Sequence, residues 1–316
     1  MIRYYLLLPL FVGLFGCESG NVPPRCCPDP SGELVWESYS LSAELIHDLS
    51  RGPEGKIWGA TQLGLNVWED EKWFRVGNTQ YFIAGAEMHD LLLLDDSLYL
   101  GTDFGLYSHR DQWRSIYLGD TVQALGVAQS GGIWAASRNA KLWRYQTDGA
   151  FYEVVNPLET QMIPSFVYEE ENGRLWLGTA DGLLFVREAG LWRSENLEVP
   201  LTSIDQAPTG QIWIGTKGKG ALRYENGQLI DQFGQNEGAL SNWINTLLFD
   251  NRNRLWLGTD RGVNVISGIG TPEDILINLY DTSDGLISNQ VQAILILSET
   301  DWWFGTDQGV SRRYLK

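Results

Sequence analysis

Along this chain a short hydrophobic run recurs seven times, each built around a large aromatic: Trp58, Tyr99, Trp134, Trp176, Trp213, Trp256 and Trp303. The interval averages about 41 residues, the spacing expected when each repeat writes one four-stranded propeller blade. The clearest copies read LWLGTADGL from Leu175, QIWIGTKGKG from Gln211, LWLGTDRGV from Leu255 and WWFGTDQGV from Trp302. Each predicts a strand followed by a sharp turn. Side chains alternate along a strand, so Trp176 and Gly178 share one face while Leu175, Leu177 and Thr179 share the other. Apolar residues on both faces predict a strand covered on both sides, with the glycine leaving room beside the indole. A second glycine follows the threonine position at Gly64, Gly105, Gly182, Gly262 and Gly309, where a tight hairpin calls for positive φ. Ala140 departs from this in the third copy, and Gly218 with Gly220 stretch it in the fifth.

Several copies add a strand that opens on tryptophan, at Trp73, Trp113 and Trp192. The seventh copy has no room for one before Lys316, whereas Trp36-Glu-Ser-Tyr stands ahead of the first copy without a blade of its own. The expected fold is all-β: a seven-bladed β-propeller of four-stranded blades over residues 34–316, its last blade closed by the N-terminal strand.

Two segments carry a family resemblance. Gly238-Ala-Leu-Ser-Asn-Trp-Ile-Asn, followed by Asp250 and the Leu255 copy, resembles the two-component regulator propeller repeat, as does Gly285-Leu-Ile-Ser-Asn-Gln-Val. That resemblance implies a sensing role, since in that family paired seven-bladed propellers form the periplasmic sensor of hybrid histidine kinases that respond to oligosaccharides. This sequence holds one such ring and no kinase or receiver segment, so phosphotransfer is not expected of it.

The first residues read differently. Arg3, the apolar stretch Leu6 to Phe15 and the lipobox-like Leu14-Phe-Gly-Cys17 resemble a bacterial lipoprotein signal. Residues 1–16 are then a signal peptide, Cys17 the lipidated residue, and 17–33 a tether rich in Gly, Pro and Ser. An ordinary secretory signal is the alternative. The expected location is the bacterial cell envelope, as an outer-membrane or periplasmic-face lipoprotein. Cys26 and Cys27 are adjacent, so free thiols or a bridge to another molecule compete with a strained bond between them.

The formal net charge of −17 comes without any basic block, which makes nucleic acid an unfavourable partner. A neutral glycan or an envelope protein meets no such repulsion. The resemblance implies an oligosaccharide as the first expected partner, with an envelope protein as the alternative, and the chain is expected to be monomeric.

Aligning the copies on their aromatics exposes one column that is polar in all of them and flanked by hydrophobes: His47, His89, Gln123, Ser165, Thr202, Asn245 and Gln292. It predicts a ring of hydrogen-bonding groups at the channel mouth, either a ligand-binding ring or the polar wall of a water-filled channel. Trp243 in the loop before the sixth blade, and Tyr81 with Phe82 in the excursion from Gly77 to Glu87, are candidate stacking surfaces for sugar rings or packing beneath their loops. Arg138 with Asn139, and Lys217 with Lys219, punctuate a rim otherwise carrying Asp103, Asp181, Asp260 and Asp307; of these, Arg138 joins the candidate ligand-binding set.

His47-Asp48 and His89-Asp90 repeat in neighbouring blades, and the expectation is a contact across the seam, His89 to Asp48 or His47 to Asp90. No third metal ligand is identifiable from spacing, so neither metal nor cofactor is expected. Nucleophile elbows, phosphate loops and zinc-binding helices are missing from the sequence, and no catalytic residue is assigned. A carboxylate-only glycosidase stays open, because carboxylate separation is not a property of sequence. The leading expectation is an extracytoplasmic propeller that binds a ligand at its central face; an envelope interaction scaffold and a propeller lyase or hydrolase are the alternatives.

Overall fold

The computed structural model describes residues 33–41, 45–76, 86–146, 148–269 and 275–316. The leader, the tether with Cys17, Cys26 and Cys27, and Tyr81 with Phe82 fall outside them. Residues 34–316 form one compact unit of seven four-stranded antiparallel sheets.

Each sheet is a blade whose strands run in chain order from the channel outward, except that the outermost strand of the seventh comes from the N-terminal side of the first. The innermost strands are Ile46–Arg51, Met88–Leu94, Val122–Val127, Pro164–Glu169, Leu201–Gln206, Ile244–Phe249 and Val291–Ser298. Each touches the innermost strand of the blade before and the blade after, and the last returns to the first, so the ring closes. Closure uses the strand the sequence left unpaired: Leu34–Tyr39 lies antiparallel on Gly309–Leu315, from Leu34 opposite Leu315 to Tyr39 opposite Val310. Tyr314 Oη donates to Glu37 Oε1 at 2.7 Å, and Trp36 packs edge-on against Tyr280 of the sixth blade. The seventh sheet thus gains its fourth strand and loses a free edge.

The second strand of a blade carries the aromatic and is the buried centre of the sheet. In Ile57–Thr61, Ile133–Ser137, Leu175–Thr179, Ile212–Thr216 and Leu255–Thr259 every residue is buried. Trp176 and Trp256 have no exposed surface. Burying an indole removes ~150–250 Å² from water, an upper bound of about 4–6 kcal/mol each at ~25 cal/mol per Å². Their polar edge is satisfied too, by Glu170 Oε1 at 2.6 Å for Trp176 and Asp250 Oδ2 at 2.9 Å for Trp256.

The Gly-Thr pair divides two tasks. The threonine is buried and donates to a carbonyl across the following hairpin, as Thr61 does to Gly64 at 2.8 Å and Thr259 to Gly262 at 2.8 Å. Ser137 is the exception and donates instead to Asp120 at 2.9 Å. The glycine makes room for something other than the expected indole. A Cβ on Gly258 would lie 2.6 Å from Thr246 Cγ2 and 3.0 Å from Val291 Cγ1, and one on Gly101 would lie 2.8 Å from the Val122 carbonyl oxygen. Phe166 of the same blade faces Gly178, and Leu49 with the Trp73 indole, not the motif's Trp58, faces Gly59, whereas at Gly101, Gly215, Gly258 and Gly305 the space is reached by the start of the next blade's innermost strand. That close approach sets how tightly neighbouring blades pack.

Candidate functional site

In every blade the pairing of the first two strands slips by one residue at the same place. The register jumps between Ile46 and Asp48, Met88 and Asp90, Val122 and Ala124, Pro164 and Phe166, Leu201 and Ser203, Ile244 and Thr246, and Val291 and Ala293. The residues left over are His47, His89, Gln123, Ser165, Thr202, Asn245 and Gln292. A bulge residue has no partner across the ladder, and the bend it introduces re-aims its side chain. All seven line one cavity of about 490 Å³ on the propeller axis, so the polar column of the sequence is a physical ring. A larger groove of about 770 Å³ runs between the outer strands of the second and third blades, past Asp95, Arg110 and Arg114, and contains no ring residue.

The ring is not uniform. Thr202 Oγ1 donates to the Ile244 carbonyl at 2.9 Å, and Asn245 Nδ2 to the Val291 carbonyl at 3.0 Å. Both bonds reach the following blade, so these two side chains lace blades together. His89 Nε2 lies 2.9 Å from Asp103 Oδ1 and His47 Nε2 lies 2.9 Å from Glu87 Oε1. The buried Gln123 Nε2 has no protein partner. Burial holds the His47 imidazole below its usual value, which favours the neutral ring.

The expected histidine–aspartate contacts across the seam do not form. Asp48 instead accepts from Leu49 N at 2.8 Å and from Leu91 N of the next blade at 3.0 Å. Asp90 accepts from Leu91 N at 2.9 Å and from Leu125 N of the blade beyond at 2.6 Å. The reason is the bulge: it turns both histidines to the channel mouth and leaves the aspartates facing the seam, where backbone amides need acceptors. Asp205 does the same in the fifth blade, accepting from Phe249 N at 2.7 Å. Burial pushes the Asp48 carboxyl up to about 6 and raises Asp205 as well. Asp90 is pushed well above the carboxylate range by burial and then by the charge of Asp48. The two neighbouring carboxyls favour sharing one proton over carrying two charges.

Trp243 and Arg138 do not line the axial cavity. Trp243 is 54% exposed and pairs with Lys217 in an isolated bridge at the rim. Arg138 is exposed, and its amide donates to the Thr121 carbonyl. Sequence reading placed Asp103 on the rim and Glu87 at the end of an excursion but missed that these acids meet the histidines. Glu87 immediately precedes the second innermost strand, and Asp103 immediately follows Thr102. A rim bond joins these two positions in several blades, Asp103 N to Glu87 O at 3.2 Å matching Gln62 N to Leu45 O and Lys217 N to Pro200 O. Aligning the residue after each threonine with the residue before each innermost strand is the signal that would have found them.

The model of the two-component regulator propeller matches residues 238–261. Over 61 residues, 18% of this chain and 4% of its own length, "Histidine kinase P4" of Formosa agariphila is 43% identical. Among solved structures, the extracellular domain of the putative hybrid two-component system BT4673 from B. thetaiotaomicron superposes with a TM-score of 0.70 at 21% identity, over 89% of this chain and 39% of that one. Virginiamycin B lyase from Staphylococcus aureus gives 0.70 at 13% identity, over 90% of this chain and 100% of that one. The chain thus spans 4% of the length of that histidine kinase and 39% of that extracellular domain. At these identities the solved structures are alike in fold. Among the described residues no helix is long and apolar enough to cross a membrane.

Proposed function

We propose that this chain, which carries the two-component regulator propeller repeat in a seven-bladed ring, is an extracytoplasmic ligand-binding module that recognises an oligosaccharide at the axial mouth. The observation that supports this reading is the ring itself: seven bulges at one register position, each bearing a polar side chain, lining one cavity of about 490 Å³. A glycan presents a dense array of hydroxyls, and the ring offers imidazole, amide and hydroxyl groups that both donate and accept. The surplus of acid over base disfavours polyanions and leaves neutral sugars free to approach. The lipobox-like Cys17 would keep such a module at the envelope, where extracellular sugars arrive. BT4673, likened above, is described as a hybrid two-component system, and a sensing role for this chain is carried over from that likeness.

The test is thermal unfolding of the protein against neutral and acidic oligosaccharides. One glycan class should raise Tm through preferential binding to the folded state, and Gln123→Ala should abolish the shift while leaving unliganded Tm within about 2 °C. An unchanged Tm across the panel would overturn the reading. A second reading, a protein scaffold, is favoured by the outer edge of the third and fourth blades, where Val155 is 89% and Leu191 78% exposed and Trp192 Nε1 donates to the Val155 carbonyl at 3.2 Å. Substituting Val155 and Leu191 by Ser would then release a co-purifying envelope protein.

A further inference from the structure

At the mouth between the first two blades, three side chains from two segments of the chain converge: Glu87 and His89 at the start of one strand and Asp103 in the hairpin that follows its neighbour. One ligand atom from each lies within 4.8 Å of the other two. Donors bonded to one cation at ~2.0–2.2 Å stand no more than about 4.4 Å apart, so a shift of at most a few tenths of an ångström lets the three share one ion. His47 adjoins the group, with its Nε2 2.9 Å from Glu87 Oε1, yet that buried nitrogen has no aligned hydrogen-bond partner. Among the described residues no lysine or arginine pairs with either carboxylate. The set is held in place beforehand, because Asp103 N donates to the Glu87 carbonyl at 3.2 Å while Glu87 N donates to Asp103 Oδ2 at 3.3 Å. His89 is only 7% exposed, and its ring direction is fixed by the bulge.

We propose that Glu87, His89 and Asp103, with His47 beside them, form a divalent transition-metal site whose open coordination positions face the axial cavity. Two carboxylates supply a charge of −2 for a divalent ion, and the imidazole nitrogen selects against calcium and magnesium, which prefer oxygen alone. Zinc and manganese both accept such a mixed set, and zinc is the higher of the two in the affinity series. Three protein ligands leave room for water or a ligand oxygen, so an ion here would contact whatever occupies the cavity. The inference stands on these side chains and not on the nature of that ligand.

The probe is zinc chloride titrated calorimetrically into the chelator-treated, desalted protein with its thiols alkylated, so that Cys17, Cys26 and Cys27 do not compete. One zinc per chain is expected at micromolar Kd or tighter, with manganese weaker and calcium and magnesium weaker still. Cobalt should report the histidine nitrogen through its visible absorption bands. Glu87→Gln and Asp103→Asn should each weaken zinc at least tenfold. Asp260→Asn and Asp307→Asn, which follow the threonine in the sixth and seventh blades, should leave it unchanged. No binding below 1 mM, unaltered binding in both ligand variants, or calcium as tight as zinc would each overturn the assignment. Unfolding curves of the variants without metal show whether a loss of binding is merely a loss of fold, and Glu87→Gln, being at a partly exposed position outside the strands, should match the wild type.

Discussion

The first two blades and the fifth and sixth place polar side chains at the same bulge, yet spend them differently. Thr202 and Asn245 are used up on the carbonyls of Ile244 and Val291, whereas His47 and His89 turn to Glu87 and Asp103 at the mouth. Two of the seven ring side chains thus bond backbone carbonyls of the following blade, while the two histidines meet carboxylates at the mouth. A repeated residue position therefore specifies where a side chain points but not what it does, because its employment depends on whether the next blade offers a carbonyl within reach.

The contrast can be broken most severely at Asp90. Asp90→Ala leaves the Leu125 amide without its acceptor in a buried seam and the Leu91 amide with Asp48 alone, and urea unfolding should show a loss of about 2–3 kcal/mol. Next come the lacing residues: Thr202→Ala and Asn245→Ala should each cost about 1–2 kcal/mol of stability while leaving glycan binding intact, the reverse of what is expected for Gln123→Ala. Equal losses of binding on both sides of the ring would remove the distinction drawn here.

Asp205 sharpens the comparison through pH. Burial raises its carboxyl in the folded protein, so the folded chain holds that proton more tightly than the unfolded one. Its stabilising contribution is complete below the unfolded value of about 3.9 and is lost as pH rises through the raised folded value. Asp205→Asn has no such proton to lose. Its stability deficit against the wild type should shrink as the pH of urea unfolding is moved from acid toward neutral, and a constant deficit would show that folding does not shift the carboxyl. The smallest effects belong to the rim: Trp243→Ala and Arg138→Ala should change stability by no more than about 0.5 kcal/mol.

Much of this was legible in the residues. The aromatic period gave the blade count, and the orphan strand at Trp36 gave the closure, because both are patterns of burial that a sequence writes directly. The polar column was legible for the same reason, as polarity flanked by hydrophobes. The bulge beneath it was not, since a register slip is a relation between two strands and leaves no mark on either alone. That is why the His-Asp pairs were expected to meet across the seam and instead parted. The union of Glu87, His89 and Asp103 was hidden likewise, because two loops bring it about. Trp243 and Arg138 were conspicuous by chemistry and stand at the rim rather than in the cavity.

The pairing of Leu34–Tyr39 with Gly309–Leu315 also sets an order of events during synthesis. Ser38 and Ser311, bonded at 3.0 Å, stand 273 positions apart. At ~5–20 residues per second, the first strand made waits on the order of tens of seconds for the last. Until then the nascent protein carries two unpaired edges, one at each end of its arc of finished blades. Pairing of Leu34–Tyr39 with Gly309–Leu315 therefore adds a late clasp to a ring whose first and last innermost strands already touch, and a chain cut short within Gly309–Leu315 keeps Leu34–Tyr39 as an unpaired strand able to pair with another chain.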